Sequence, residues 1–223
     1  MKCCYKLNLP SQLLNESAKH KILTSELSDN AYLKSLPEIP TFNDPMIIKE
    51  VLSQEFLDCL QQLNLQPTLI HVFYRNKDVS IDRSYIHKDA ALINNVWTTV
   101  PFGINFEVNP TTVSTTTWWD TSEVKEYLDD NEHTRTYKNH LNGFRYHEDF
   151  LRSSPKYLKL NPIDSITVEG NSTPILFRAN IAHSVAASTK EGPRYNVSVR
   201  FDLKQIRTFE QAVERLQPLI ISD

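Results

Sequence analysis

Glycine is scarce in this chain: only Gly103, Gly143, Gly170 and Gly192 occur in 223 residues. A phosphate-cradling loop needs glycines close together so that backbone N–H groups can approach the anion, and these four are scattered. Dinucleotide-binding and P-loop chemistry are thereby excluded. Cysteine is also sparse. Cys3, Cys4 and Cys59 are an odd number without metal-ligand or redox spacing, which predicts reduced thiols in a cytoplasmic protein. No hydrophobic run approaches membrane-spanning length, and the opening MKCCYKLNLPSQ lacks the apolar core of a signal peptide, so no membrane partner is expected. An excess of one charge is missing too. The 24 Lys+Arg and 27 Asp+Glu leave a net charge of −3, which disfavours nucleic acid as a partner without forbidding a local basic groove. With 40% hydrophobic residues, a chain of this length can bury a real core as one domain, residues 1–223.

Residues 1–45 are polar and carry prolines at 10, 37, 40 and 45, so they are expected to wrap the domain as loops and short helices. From Met46 to Leu65, the apolar residues Ile47, Val51, Leu52, Phe56, Leu60 and Leu63 recur at helical spacing. Residues 1–66 therefore read as loops and one helix packed outside a β core. Thr68–Arg75 is β-branched and aromatic and reads as a strand, with His71 as a packed residue rather than a ligand. In Pro101–Asn109, the residues Phe102, Ile104, Phe106 and Val108 share one face, opposite Gly103, Asn105 and Glu107. Asn109-Pro110 marks a turn before a second strand, Val113–Asp120. Thr121–Leu160 is the least regular part, longer than an ordinary connection, and reads as an insertion over 121–160 that could act as a lid. It is expected to hold a short helix over Ser122–Leu128 and the solvated histidines His133, His140 and His147. Pro162–Val168 reads as a strand and Thr208–Leu216 as a short amphipathic helix.

The stretch Pro174–Asp202 organises the rest. It reads as two strands joined by a polar turn, the first an apolar run from Ile175 that ends at Ala182-His183-Ser184. In the second, Tyr195, Val197, Val199 and Phe201 alternate with Arg194, Asn196, Ser198 and Arg200. Such a polar face normally turns to water. A barrel holding a small dianion would instead turn it inward, because a guanidinium matches a carboxylate in bidentate geometry.

A distal histidine followed by an arginine on a neighbouring strand resembles the 2-oxoglutarate/Fe(II)-dependent dioxygenases, and RYNVSVR (194–200) is similar to the Arg-x-Asn-x-x-x-Arg strand of the AlkB branch. The string GINFEVN, followed by a Thr-rich strand ending Trp118-Trp119, also resembles small phage and marine-bacterial members. The resemblance spans scattered motifs between Tyr85 and Asp202. It implies a double-stranded β-helix (jelly roll) with flanking helices, and an iron triad made of a His-x-Asp pair and the distal His183.

Two candidate pairs exist, His87-Lys88-Asp89 and His147-Glu148-Asp149. On an extended strand, His-x-Asp puts both side chains on one face, as two ligands of one metal require. Only 35 residues separate His147 from His183, too few for the strands such a fold places between its ligands, and NGFRYHEDFLRS shows no alternation. We therefore expect His87, Asp89 and His183 to be the metal ligands and catalytic centre. By the resemblance, Arg194, eleven residues after His183, anchors the distal carboxylate of 2-oxoglutarate and Arg200 assists the metal-bound carboxylate. The resemblance also implies that Asn105 faces this site, and Asn196 shares the strand face of the two arginines. One departure from the AlkB pattern is that its distal histidine stands farther from the first arginine.

The implied activity is hydroxylation or demethylation of a small-molecule or amino-acid-type substrate, with Fe(II) and 2-oxoglutarate. Two alternatives stay open: a cupin-like metal jelly roll without 2-oxoglutarate chemistry, and a metal-free binding or structural jelly roll.

Overall fold

The computed structural model describes residues 1–23, 41–42, 45–75, 86–93, 96–122, 134–138, 145–150, 160–170, 173–202 and 204–222. The strands in chain order are β1 (Cys4–Lys6), β2 (Thr41–Phe42), β3 (Pro67–Arg75), β4 (His87–Ile93), β5 (Val96–Thr99), β6 (Phe102–Glu107) and β7 (Thr112–Trp119). They continue with β8 (Thr134–Lys138), β9 (Arg145–Phe150), β10 (Pro162–Glu169), β11 (Ile175–Arg178), β12 (His183–Thr189) and β13 (Arg194–Phe201). The described helices are α1 (Glu16–Leu23), α2 (Pro45–Val51), α3 (Gln54–Gln62) and α4 (Phe209–Leu216).

These strands form two antiparallel sheets. One is six-stranded, in the order β1-β11-β6-β13-β3-β2; the other is seven-stranded, in the order β10-β7-β12-β4-β9-β8, with β5 paired on β4. The chain passes repeatedly from one sheet to the other, as in β6 to β7, β10 to β11, β11 to β12 and β12 to β13. An all-β core with a few flanking helices is the architecture.

Strand β13 shows how the alternating sequence is used. Every residue from Arg194 to Phe201 is buried, so neither face meets water. Tyr195, Val197, Val199 and Phe201 enter the main core, beside Ile70 and Val72 of β3 and Ile104 and Phe106 of β6. Helices cover this face, contributing Ile48, Phe56, Leu60, Phe209, Ala212 and Leu216. Each such side chain contributes roughly 1.5–3 kcal/mol by leaving water. The polar face, with Arg194, Asn196, Ser198 and Arg200, looks toward the second sheet, where Arg200 meets Asp89. A smaller cluster of Cys3, Cys4, Trp118, Ile175, Phe177 and Ala179 packs between β1, β7 and β11. Burial there pushes the thiol of Cys3 up to about 11 and that of Cys4 to about 12, so both are inert packing groups at neutral pH.

Five local readings are corrected. The helix expected over Met46–Leu65 is two helices, because Leu52 bridges to Leu14 and Ser53 caps α3 by accepting from the Phe56 N–H at 3.1 Å. Pro174–Asp202 holds three strands instead of two. The strand bearing His183 pairs with β7 and β4, not with β11 or β13, so it lies in the opposite sheet from the arginines. The segment around His147, expected not to be a strand because it shows no alternation, is strand β9, and with β8 it extends the seven-stranded sheet. Residues 1–45 contribute β1 and β2 as well as α1. The helix expected over Ser122–Leu128 lies outside the described residues from 123 on, as do His133 and His140.

Candidate metal centre

Strands β4 and β12 meet at a single register pair, His87 opposite His183. Antiparallel neighbours that face each other directly bring their side chains close on one face. The two imidazole rings stand 4.3 Å apart, centre to centre. Asp89, two residues along β4, falls on the same face as His87 by strand periodicity. Its Oδ1 lies 3.6 Å from Nε2 of His87 and 3.8 Å from Nε2 of His183. One ligand atom from each of the three residues lies within 4.8 Å of the others.

The surroundings hold Asp89 and His183 in place. Asp89 is fixed by its backbone, whose N–H donates to the Ala179 carbonyl at 3.0 Å and whose carbonyl accepts from the Val100 N–H at 3.1 Å. Its Oδ2 accepts from Nη2 of Arg200 at 2.5 Å, which leaves Oδ1 turned toward the histidines. The Nδ1 of His183 lies 2.8 Å from the Ile181 carbonyl, a partner that only an N–H can satisfy, so the Nε2 lone pair is available for a metal. Phe177 stands edge-on to that ring at 4.8 Å. Burial, then the neighbouring His87, lowers the His183 pKa to about 3. The imidazole is therefore neutral at physiological pH, the form a metal needs. Two imidazoles and one carboxyl group, with its second oxygen held by an arginine, suit a divalent transition metal with open positions. The side chain of His87 is 15% exposed while Asp89 and His183 are nearly sealed, so the centre opens on the His87 side.

The rival pair falls elsewhere. In β9, Glu148 is opposite Asp89 and Phe150 opposite His87, while His147 is opposite Ala90 and Asp149 opposite Lys88. His147 and Asp149 thus occupy register positions one residue out of phase with His87 and Asp89.

The other predicted residues line the polar face of the six-stranded sheet. Arg200 is 3% exposed; apart from its bond to Asp89, its Nε and Nη1 have no partner among the described residues. Arg194 does not stand free: its Nε and Nη2 donate to Oε1 of Glu107 at 3.1 and 2.6 Å. Ser114 of β7 donates to the same oxygen at 2.8 Å, which ties the two sheets together. Asn105 accepts from the Ser198 hydroxyl at 2.5 Å. Asn196 is buried beside them. His71 is fully buried opposite Ser198, and burial and Arg200 lower its pKa to about 3.

Sequence reading missed Glu107 and Gly103. The signal was available, since both alternate in phase with Asn105, but the partner of Glu107 was legible only from the register that brings β6 beside β13. Gly103 leaves space for a guanidinium: a Cβ there would stand 2.5 Å from Nη1 of Arg200.

No protein-family model matches the chain, and no curated protein matches it.

Proposed function

We propose that the protein is a non-haem Fe(II)/2-oxoglutarate-dependent oxygenase on a double-stranded β-helix, hydroxylating or demethylating a small-molecule or amino-acid-type substrate. The observation that carries the reading is the convergence of His87, Asp89 and His183, with Asp89 held by Arg200. The repeated crossing of the chain between its two sheets supports the fold assignment.

In this reading His87 and His183 ligate through Nε2 and Asp89 through Oδ1. Bound Fe(II) and 2-oxoglutarate supply the oxygen activation and hydrogen abstraction. The chain's own residues do the rest. Arg200 fixes the orientation of Asp89, and its unpaired N–H groups are donors for the carboxylate end of a chelating 2-oxo acid. Asn105, Ser198 and Asn196 give the cosubstrate a polar wall, and Arg194 stands farther along the same strand face as the distal cation. The substrate approaches from the His87 side, where the centre is open.

Anaerobic titration of the protein with Fe(II), with and without 2-oxoglutarate, tests this. A metal-to-ligand charge-transfer band should develop only when both are present, and should be absent in Asp89→Ala and His183→Ala. Iron binding without any such band would favour a metal jelly roll without 2-oxoglutarate chemistry. One observation supports that second reading: Arg194 already has an anionic partner in Glu107, so an inward arginine does not by itself demand a dicarboxylate.

A further inference from the structure

Glu107 is completely buried, and its partner Arg194 is 8% exposed by side chain. The contact is lopsided. The guanidinium donors Nε and Nη2 and the Ser114 hydroxyl converge on Oε1, while Oε2 is buried with no hydrogen-bond partner among the described residues. A pair serving only to lock two sheets would be expected to use both oxygens in a fork, the stronger geometry. Here the side edge of the guanidinium is consumed, and the end edge bearing Nη1 makes no hydrogen bond to any described residue. A buried acceptor, Oε2 of Glu107, is thus left unmatched beside a guanidinium whose end edge stays available to a ligand.

The position fits the far end of a cosubstrate. Glu107 is paired with Asn196, and Ser114 with Ala187, four residues along β12 from His183. Thr116, Asn105 and Ser198 lie between the pair and the metal ligands on the facing strands.

We infer that Glu107 determines cosubstrate specificity: by cancelling the charge of Arg194, it lets this subsite take a 2-oxo acid with an uncharged distal amide about as well as one with a second carboxylate. The inference rests on the cosubstrate reading given above. A distal carboxylate offers only acceptors, and it would place two anions on one guanidinium, an arrangement like charges disfavour. A carboxamide oxygen accepts from the end edge of Arg194, and its NH2 brings no second negative charge to the pair.

The test is calorimetric binding of 2-oxoglutarate and of its distal carboxamide analogue to Fe(II)-loaded protein without oxygen. Wild-type affinities for the two should lie within about tenfold of each other. Glu107→Gln removes the competing charge at constant shape, so 2-oxoglutarate should bind roughly 10- to 100-fold tighter relative to the amide, with iron affinity unchanged. A wild-type preference for the dicarboxylate above about 100-fold, left unaltered by Glu107→Gln, would overturn the inference and leave Glu107 as a latch between sheets. If neither compound binds either protein while iron does, the cosubstrate reading itself fails and the inference with it. Should Glu107→Gln not fold, the wild-type ratio alone decides.

Discussion

Two buried groups make single residues readable in stability measurements. Replacing Arg194 by alanine would leave Glu107 buried without a cation, and breaking such a pair costs about 3–5 kcal/mol. Urea denaturation should show a loss of that order for Arg194→Ala, partly recovered in Arg194→Ala/Glu107→Gln, where no charge is stranded. Equal loss in both variants would mean that packing, not charge, dominates. Histidine burial sets the acid limit. His71 and His183 have pKa values lowered to about 3 in the folded protein, chiefly by burial, against 6.5 for an ordinary histidine. The unfolded chain thus takes up these protons first as pH falls. The stability involved is fully present above about pH 6.5 and declines progressively toward pH 3, with a slope approaching about 1.4 kcal/mol per pH unit for each histidine. Denaturation of metal-free protein between pH 7 and 4 should show this slope, and His71→Gln should remove roughly half of it. A wild-type profile flat over that range would contradict the burial argument.

Among the elements, β6 and β13 carry the polar face that meets the His87–Asp89–His183 group of β4 and β12, and one missing side chain lets them do so. A Cβ on Gly103 would lie 2.5 Å from Nη1, 2.9 Å from Cζ and 3.0 Å from Cδ of Arg200, so the arginine must move. Gly103→Ala should cost about 1–3 kcal/mol of stability through overpacking. It should also weaken metal binding by about 10- to 100-fold, because Arg200 no longer orients Asp89. Metal titration with unchanged affinity would show that Arg200 does not support the ligand. Strand parity placed Gly103, Asn105 and Glu107 on one face from sequence alone, and likewise the four polar residues of β13. Parity is a local property. Which strands lie side by side is not, and that is why the sheet occupied by His183 and the Arg194–Glu107 pair were not legible. The break at Leu52-Ser53 was hidden because apolar spacing continues across it, while the serine cap depends on backbone geometry. RYHEDF lacks alternation, and its strand identity comes from pairing with β4 and β8.

At the scale of the molecule, the main hydrophobic cluster lies between the six-stranded sheet and the helices, away from the metal-ligand side chains. Folding should therefore not require the metal, in contrast to domains organised around one. Apo protein should melt cooperatively. A divalent metal at about 100 times its dissociation constant should add about 2.7 kcal/mol, a rise of roughly 5–10 °C in Tm at this chain length. His87→Ala/His183→Ala should melt cooperatively but lose the metal-induced rise. Wild-type melting insensitive to Fe(II), Mn(II) and Zn(II) would reduce the triad to a polar cluster. The grouping of His87, Asp89 and His183 was expected from the family resemblance, and spacing served only to choose His87 and Asp89 over His147 and Asp149. The overall β character was legible in the chain itself, because alternating strands recur over most of its length.

The division of β13 into two faces also bears on how such a protein could change its chemistry. Odd-numbered positions from Tyr195 to Phe201 serve the core, and even-numbered positions from Arg194 to Arg200 serve the site. A combinatorial library confined to Asn196 and Ser198 would vary the buried polar face while leaving the core partners in place. A one-residue deletion inside the strand would exchange the two sets, sending guanidinium groups among the helices and apolar side chains toward the metal ligands. The polar face of this strand is therefore open to gradual change by substitution, whereas the length of the strand is not.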